Sequence, residues 1–425
     1  MLANIGIAEG TGPCAGVGIV SFAAARDSVG LRTMHLSPMV QAIAEPATLL
    51  MARRSRELKA QGRDVIDLSL GEPDHAPPPF ALEAAHAALD GPWHKYTPVN
   101  GYADVREAIA QKFKRDNGLT YTAEQIVIST GAKQSIMNVM LALIGPGDEV
   151  VIPAPFWVTY AEQVRIAGGT PVIVRSTLEE DYKAPIERIA AAITPRTRLL
   201  IFSSPCNPSG SVLTLAEMEA LAEVVARHPE LYVISDEIYE HIVFDGTHRS
   251  FAALPGMMER TITVNGLSKA FALTGWRIGF LGAPLWIAQA VTKVQGQFTS
   301  GTNSIAQRVT KACMEADPAL LSGMRADFLR RRDLVLNEIK KVPGWRCNRP
   351  QGAFYVLPDV SATLNGSTIR TSVDLCLHLL DSANVSIVEG DSFGAPGTVR
   401  ISYATSDDKL VMAIDRIAKA ITALR

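Results

Sequence analysis

Lys269 lies among Gly266, Leu267, Ala270, Phe271 and Ala272, and Arg277 follows eight residues later. Burial in so apolar a neighbourhood disfavours the ammonium form and leaves a more nucleophilic amine. Such a lysine can form a Schiff base with an aldehyde, and a nearby arginine can grip a phosphate bidentately. An aldehyde that carries a phosphate is pyridoxal 5′-phosphate. Taken alone, the segment could also be a lysine and an arginine flanking a turn, so the cofactor's other requirements must be met elsewhere in the chain.

The pyridine nitrogen needs a buried carboxylate to keep it protonated, so that the ring withdraws electrons. Asp236 ends an apolar run, where an unpaired acid would be costly; capping the following turn is the alternative. Tyr239, three residues on, can donate to the cofactor's phenolic oxygen. Asn207, in Asn207-Pro-Ser-Gly210, is a second donor, although Asn-Pro followed by Gly also reads as an ordinary turn. The phosphate needs backbone amides at a helix start, and Gly131, Ala132 and Lys133 stand between a strand and a helical pattern. Trp157 can stack on the ring or sit in the core. Arg400 alternates with apolar neighbours; turned inward it needs a carboxylate, turned outward it is simply solvated.

Positioning these groups takes an α/β scaffold. Short β-branched runs at 126–128, 149–152, 171–174, 199–202, 232–234 and 261–264 alternate with helical patterns at 133–143, 159–167, 186–193 and 215–227. That order predicts a large, doubly wound, mostly parallel sheet, whose ligands sit beyond the carboxyl ends of the strands. Gly131, Asn207, Asp236 and Lys269 all follow strand runs. The remainder reads as a smaller α+β domain. It has a long charged helix at 320–341, a strand at 354–357, a helix at 373–383, short strands at 385–388 and 399–402 and a final helix. A helical stretch at 41–61 precedes the loop 69–74. The expected division is residues 34–80 with 315–425 as the small domain and 81–314 as the large one.

The 425 residues suit two domains. With 41 basic and 43 acidic residues, nothing favours nucleic acid or an anionic membrane. Five cysteines without a C-x-x-C pair argue against zinc and a disulfide framework, and suit a reducing cytoplasm. No apolar run is long enough to span a bilayer. Residues 1–33, rich in Gly and Ala, read as a loosely ordered extension and a poor signal peptide, with Met34 as a candidate start.

Taken together, these blocks have an order and spacing that carry more than any one of them. The chain resembles class I aminotransferases of the pyridoxal phosphate fold type I, most closely the bacterial aspartate aminotransferase-like subgroup, from about Met34 onward. The matching blocks are Ser69–Asp74, Lys95–Pro98 with Gly101, Gly131–Gln134, Phe156-Trp157, Asn207–Gly210, Asp236–Tyr239, Ser268–Phe271 with Gly275–Gly279, Gly352–Tyr355 and Arg400–Tyr403.

The resemblance implies roles for these positions. Lys269 is implied to bind the cofactor covalently and shuttle a proton, Asp236 to pair with the pyridinium, and Tyr239 and Asn207 to hold the phenolic oxygen. Trp157 stacks on the ring. Arg277, Ser268 and the amides at Gly131–Lys133 take the phosphate. Tyr96 reaches the other subunit's cofactor, which implies a homodimer. Gly71, Asn207 and Arg400 bind the substrate carboxylate, with Trp157 nearby and Lys133 at a distal carboxylate.

The chain also departs from the family pattern. Gly266 stands where the family often has a hydroxyl. The Ser and Thr that accompany Lys133 in the family appear here as Pro46 and Thr48, and Phe298 interrupts the polar segment 297–304. The expected activity is transfer of an amino group from an L-amino acid, aspartate first, to a 2-oxo acid such as 2-oxoglutarate. Aromatic or other apolar donors, or β-elimination on the same fold, are the alternatives. A cofactor-sensing transcription regulator would need a DNA-binding domain, and the short amino-terminal segment has neither basic clustering nor a helix-turn-helix pattern.

Overall fold

The computed structural model describes residues 36–43, 45, 47–364 and 366–424. The expected extension 1–33, Met34 and Pro46 lie outside the described residues. The described residues fall into two units, 36–42 and those from 43 onward. Within the first, the described part holds helix α1 (Pro38–Ala42).

In the second unit, one sheet has seven strands: β2 (Ile126–Ser129), β3 (Glu149–Pro153), β4 (Thr170–Val174), β5 (Thr197–Ser203), β6 (Tyr232–Asp236), β7 (Thr261–Gly266) and β8 (Gly279–Gly282), with the two-residue β1 (Ile66–Asp67) preceding them elsewhere. Their spatial order is β2-β8-β7-β6-β5-β3-β4. Strands β4, β3, β5, β6 and β7 run parallel, and β8 is antiparallel to both neighbours. The mostly parallel α/β sheet expected from the sequence is therefore what forms. The sequence reading overlooked β8, because Gly279-Phe-Leu-Gly282 is short and framed by glycines.

Both faces of this sheet are covered, as in a doubly wound fold. Leu199 and Ile201 of β5 turn to the core beneath α5 (Ala132–Leu143), α6 (Thr159–Ile166) and α9 (Leu285–Phe298). Leu200 and Phe202 turn to the opposite core under α7 (Ile186–Ala192) and α8 (Leu215–Ala226). Near β2, a third core joins α3 (Pro79–Leu89), α4 (Ala103–Asn117) and α10 (Ser304–Glu315). Caps fix several helix starts. Thr214 and Glu217 form a reciprocal capping box on α8, and Asn303 accepts the amide of Ala306 on α10 at 2.8 Å.

A further core is built from α2 (Ala47–Ala60), α11 (Ser322–Ile339), α12 (Ser372–Ala383) and α13 (Asp407–Ala423) against short strands. These are β9 (Tyr355–Val356), β10 (Val385–Ser386), β11 (Val388–Glu389) and β12 (Val399–Ser402), with β10 pairing β1 and β12 lying between β11 and β9. Met51, Val65, Ile66 and Leu68 pack there with Phe328, Phe354 and Leu379.

Several boundaries differ from the sequence reading. The run 385–388 is two strands in separate sheets, because Ile387 lets the chain pass from β1 to β12. The helix expected at 41–61 runs only from Ala47 to Ala60; proline at 46 has no amide hydrogen and suits a helix start rather than its interior. The long charged helix is the shorter α11, preceded by a 3₁₀ turn at Pro318–Leu321.

Candidate active site

The carboxyl ends of the parallel strands converge on a cavity of about 280 Å³, lined by Asp236, Tyr239, Asn207, Lys269, Ser268 and Arg400, with Gly71, Lys133, Trp157 and Arg277 at its other walls. Residues spread over more than 300 positions of sequence meet there, as expected of an α/β sheet.

Asp236 is the last residue of β6 and is buried. Its Oδ2 accepts the hydroxyl of Tyr160 at 2.6 Å, and Oδ1 accepts the amide of Ile238 at 3.2 Å. Burial pushes its carboxyl up to about 6 in spite of these donors. Lys269 follows β7, the neighbouring parallel strand, and its Nζ donates to the carbonyl of Gly71. Burial, and then the Arg400 guanidinium, push that amine down to about 8. The cavity thus holds a nucleophilic amine and a buried acid on adjacent strands.

Tyr239 hydrogen-bonds the hydroxyl of Tyr355 at 2.8 Å, and burial raises its phenol well above the usual range. Asn207 accepts from Nη1 of Arg400 through Oδ1 at 3.1 Å. Arginine only donates, so the oxygen must face it, which leaves the Asn207 amide nitrogen as a donor. Arg400 is buried, its guanidinium 4.7 Å from the Tyr355 ring and 4.9 Å from that of Phe393. Nη2 donates to the carbonyl of Ser69, but Nε has no partner, and among the described residues no carboxylate pairs with this guanidinium. A buried, uncompensated guanidinium calls for an anion.

At the start of α5, Gly131 takes φ +88°, and a Cβ there would collide with Nη2 of Arg277. The Gly131 amide donates to Ser129 at 2.8 Å. The amides of Ala132 and Lys133 remain, with Arg277 and Ser268 nearby, as donors to an anion at a helix start. Gly266, where the family often has a hydroxyl, has no room for a side chain: a Cβ would lie 2.7 Å from the carbonyl oxygen of Ile278.

Trp157 is half-buried at the cavity wall, edge-on to Tyr160 at 5.6 Å. Nζ of Lys133 stands 5.0 Å from the Trp157 ring. Burial, and then Arg277, lower its amine. Lys133 and Arg277 also open onto a second, larger cavity of about 700 Å³. Thr48 lines the smaller cavity. Tyr96 is outside both cavities and 99% exposed.

Two residues of the site went without a role in the sequence reading. Tyr160 could have been found from its place in the recognised neighbourhood of Trp157, three residues on, across the turn that opens α6. Tyr355 sat in a recognised block, but only the fold shows that it bridges Tyr239 and Arg400.

Comparison with known proteins agrees with this geometry. A profile of the family described as aminotransferase class I and II matches residues 63–417. A Petunia hybrida protein named bifunctional aspartate aminotransferase and glutamate/aspartate-prephenate aminotransferase is 44% identical, over 92% of this chain and 84% of its own. An aspartate/prephenate aminotransferase of Cereibacter sphaeroides is 43% identical over 90% of this chain and 97% of its own. The crystal structure of the aspartate aminotransferase of Rhizobium meliloti superposes with a TM-score of 0.88 at 40% identity, covering 91% of this chain and 99% of that one. That of Thermus thermophilus with maleate gives 0.86 at 41% identity and the same coverage. The fold is thus the fold type I arrangement expected from the sequence, and with family profile and relatives alike spanning most of its length, the chain belongs to the class I and II aminotransferases.

Proposed function

We propose that this aminotransferase uses pyridoxal 5′-phosphate to move the amino group of an L-amino acid, aspartate first, to a 2-oxo acid such as 2-oxoglutarate. The observation that carries the reading is the pair at the ends of β6 and β7: a buried acid at about 6 and an amine at about 8 in one cavity. The residues fit the cofactor. Asp236 offers a buried carboxylate to a pyridinium N–H, and Tyr239 and the Asn207 amide offer donors to a phenolic oxygen. Trp157 presents a ring face. Arg277, Ser268 and the amides of Ala132 and Lys133 form a cradle for a phosphate, with Gly131 letting Arg277 approach.

When bound, pyridoxal phosphate supplies the electron sink that lets an amino acid lose its α-proton. Lys269 Nζ is the base for that proton, since an amine near 8 is substantially neutral only a unit or so above physiological pH and can be reprotonated in turn. Arg400 and Asn207 hold the α-carboxylate, beside the Gly71 backbone. Lys133 receives a distal carboxylate, which favours aspartate. The first product leaves before the acceptor enters, in ping-pong order.

Cytoplasmic location and a homodimer complete the proposal. The scattered cysteines support the first. The fully exposed Tyr96, available to reach a partner's site, supports the second. Among the described residues no helix is long and apolar enough to cross a membrane. We also assign residues 34–80 with 315–425 to a small domain and 81–314 to the cofactor-binding one.

The larger cavity favours a second reading of acceptor breadth. Met137, Phe156, Ile166 and Ile173 give it apolar walls, and Lys133 and Arg175 give it cations, while Arg165 is paired with Glu162 at 2.6 Å and Glu45 and Asp391 also line it. A bulky ring-bearing dicarboxylate such as prephenate, named for two of the relatives, suits that lining. The test is the visible spectrum of the purified protein loaded with pyridoxal phosphate, recorded while single amino acids and then 2-oxo acids are added. Bleaching by aspartate and recovery with 2-oxoglutarate or prephenate are expected. No cofactor band after loading would refute the reading.

A further inference from the structure

The turn that leaves β6 has two sides. Asp236 and Tyr239 line the active-site cavity. Glu237 and Glu240 alternate with them and do not; their carboxylates enter a second, buried polar cluster. The cluster is continuous. Nζ of Lys112, on α4, donates to Oε1 of Glu240 and, at 2.8 Å, to Oδ1 of Asn117. The Asn117 amide donates to Oε2 of Glu240 and to Oγ of Ser250, each at 2.8 Å. Ser250 in turn donates to Oε2 of Glu237, which also meets Nε2 of His248 at 2.9 Å, while Ser235 donates to its Oε1 at 2.9 Å. His241 lies 3.2 Å from Glu240, and Asp116 3.9 Å from Lys112.

Lys112 is 2% exposed, Glu237 1% and Glu240 7%. Ion pairs this deep repay little stability, because desolvation consumes most of the Coulombic gain. Burial alone would raise the Glu240 carboxyl, yet Lys112 and His241 beside it outweigh that and hold it well below the usual range. What such a network does supply is a restricted geometry, since the carboxylates of Glu237 and Glu240 are each held by several donors at once, although Nδ1 of His248 has no partner. Carboxylate atoms of Glu237 and Glu240 and a nitrogen of His248 fall within 4.8 Å of one another, as in a cation site. Lys112, Asn117 and Ser250 already donate to those carboxylates, so their oxygens are engaged by the chain itself.

Resting on the proposed cofactor reading, we infer that Glu240 and Glu237, tied through Lys112, Asn117 and Ser250 to α4, are positioning residues that set where Asp236 and Tyr239 meet the cofactor ring. The backbone links the two sides tightly. Glu240 N donates to Glu237 O at 2.9 Å, Ile242 N to Tyr239 O at 2.8 Å and Glu237 N to Val264 O of β7 at 2.9 Å. A shift of either glutamate therefore moves the turn that carries Tyr239.

The test compares wild type with Glu240→Gln, Ser250→Ala and the double variant Lys112→Met/Glu240→Met. Each is measured for thermal midpoint without cofactor, for pyridoxal phosphate affinity, and for the pH midpoint of the bound cofactor's absorption. Glu240→Gln is expected to bind the cofactor roughly tenfold more weakly, the scale on which outer partners tune the ligands they orient, and to shift the spectral midpoint. Ser250→Ala, the milder change, is expected to shift it in the same direction if Glu240→Gln does not fold. The double variant replaces the pair with apolar side chains and is expected to recover the thermal midpoint but neither the affinity nor the spectral midpoint. Wild-type affinity and spectrum in folded variants, or recovery of all three quantities in the double variant, would reduce the network to a structural one and overturn the inference. A wild type without any cofactor band would instead refute the function on which it rests.

Discussion

The phenolic hydroxyl of Tyr160 donates to Oδ2 of Asp236 at 2.6 Å, deep at the end of β6. Burial drives the carboxyl up to about 6, and the hydrogen bonds from Tyr160 and the Ile238 amide oppose that rise. Tyr160→Phe removes one of them, so the carboxyl rises further and is ionised over a narrower pH range. A cofactor that needs the carboxylate should bind more weakly, by about 1.5–3 kcal/mol for a lost hydrogen bond to a charged group. Pyridoxal phosphate affinity in wild type should fall as pH drops through about 6, and in Tyr160→Phe the fall should begin at higher pH. Titrating affinity against pH for both proteins checks this; superimposable curves would remove Tyr160 from the site.

Arg400 is buried beneath Asn207, and among the described residues no carboxylate pairs with it. Replacing it by Ala should raise the dissociation constant of a non-reacting dicarboxylate such as maleate by an amount equivalent to about 2–5 kcal/mol, with the fold retained. Arg400→Lys keeps the charge but loses the planar fork, so it should restore only part of the affinity. Calorimetric titration of the three proteins decides it, and unchanged binding in Arg400→Ala would end the assignment.

Lys133 stands beyond Trp157 in both cavities, and among the described residues no carboxylate pairs with it. If it meets the distal carboxylate, Lys133→Met should lower kcat/KM for aspartate by the equivalent of about 1.5–3 kcal/mol, and leave alanine and phenylalanine nearly untouched. A uniform loss across donors would instead place Lys133 on the cofactor.

Much of the site was legible in the sequence because its chemistry is local. Lys269, Asp236, Asn207 and Gly131 each follow an apolar strand run, and a parallel sheet delivers such positions to one end. Arg400 was legible as a charge on an alternating strand. What the sequence did not disclose depends on long-range contact. Tyr355 meets Tyr239 across 116 positions, and Lys112 meets Glu240 across 128. Strand β8 was missed for a local reason: four residues framed by glycines carry too little alternation to register.

Gly266 tests whether the departure from the family pattern is fixed by packing. A Cβ at this position would lie 2.7 Å from Ile278 O and 3.0 Å from Gly279 Cα, both backbone atoms of the adjoining segment. Gly266→Ser would add the family's hydroxyl but should destabilise the protein by about 1–3 kcal/mol, the ordinary cost of overpacking. Denaturant unfolding of the cofactor-free proteins measures this directly. A neutral or stabilising result would mean that β7 and β8 can part without cost.

The Lys269 amine gives a stability prediction with a definite sign. Its value falls from 10.5 to about 8 on folding, chiefly through burial. Between those values the unfolded chain holds a proton that the folded one has released, so the contribution of Lys269 to stability rises with pH across that window and is lowest below about 8. Lys269→Met removes the ammonium and keeps an unbranched side chain. The cofactor-free variant should therefore be more stable than wild type at pH 7, and the advantage should shrink steadily toward pH 10. The Lys269 ammonium helps to hold the Asp236 carboxyl down, so Lys269→Met lets that carboxyl rise above about 6, and the trend is read from about pH 8 upward, where the carboxylate is ionised in both proteins. Urea unfolding of both proteins at successive pH values reads the difference; a gap that stays constant with pH would mean that the lysine keeps its ordinary affinity for protons in the fold, and would remove the physical basis for its nucleophilicity.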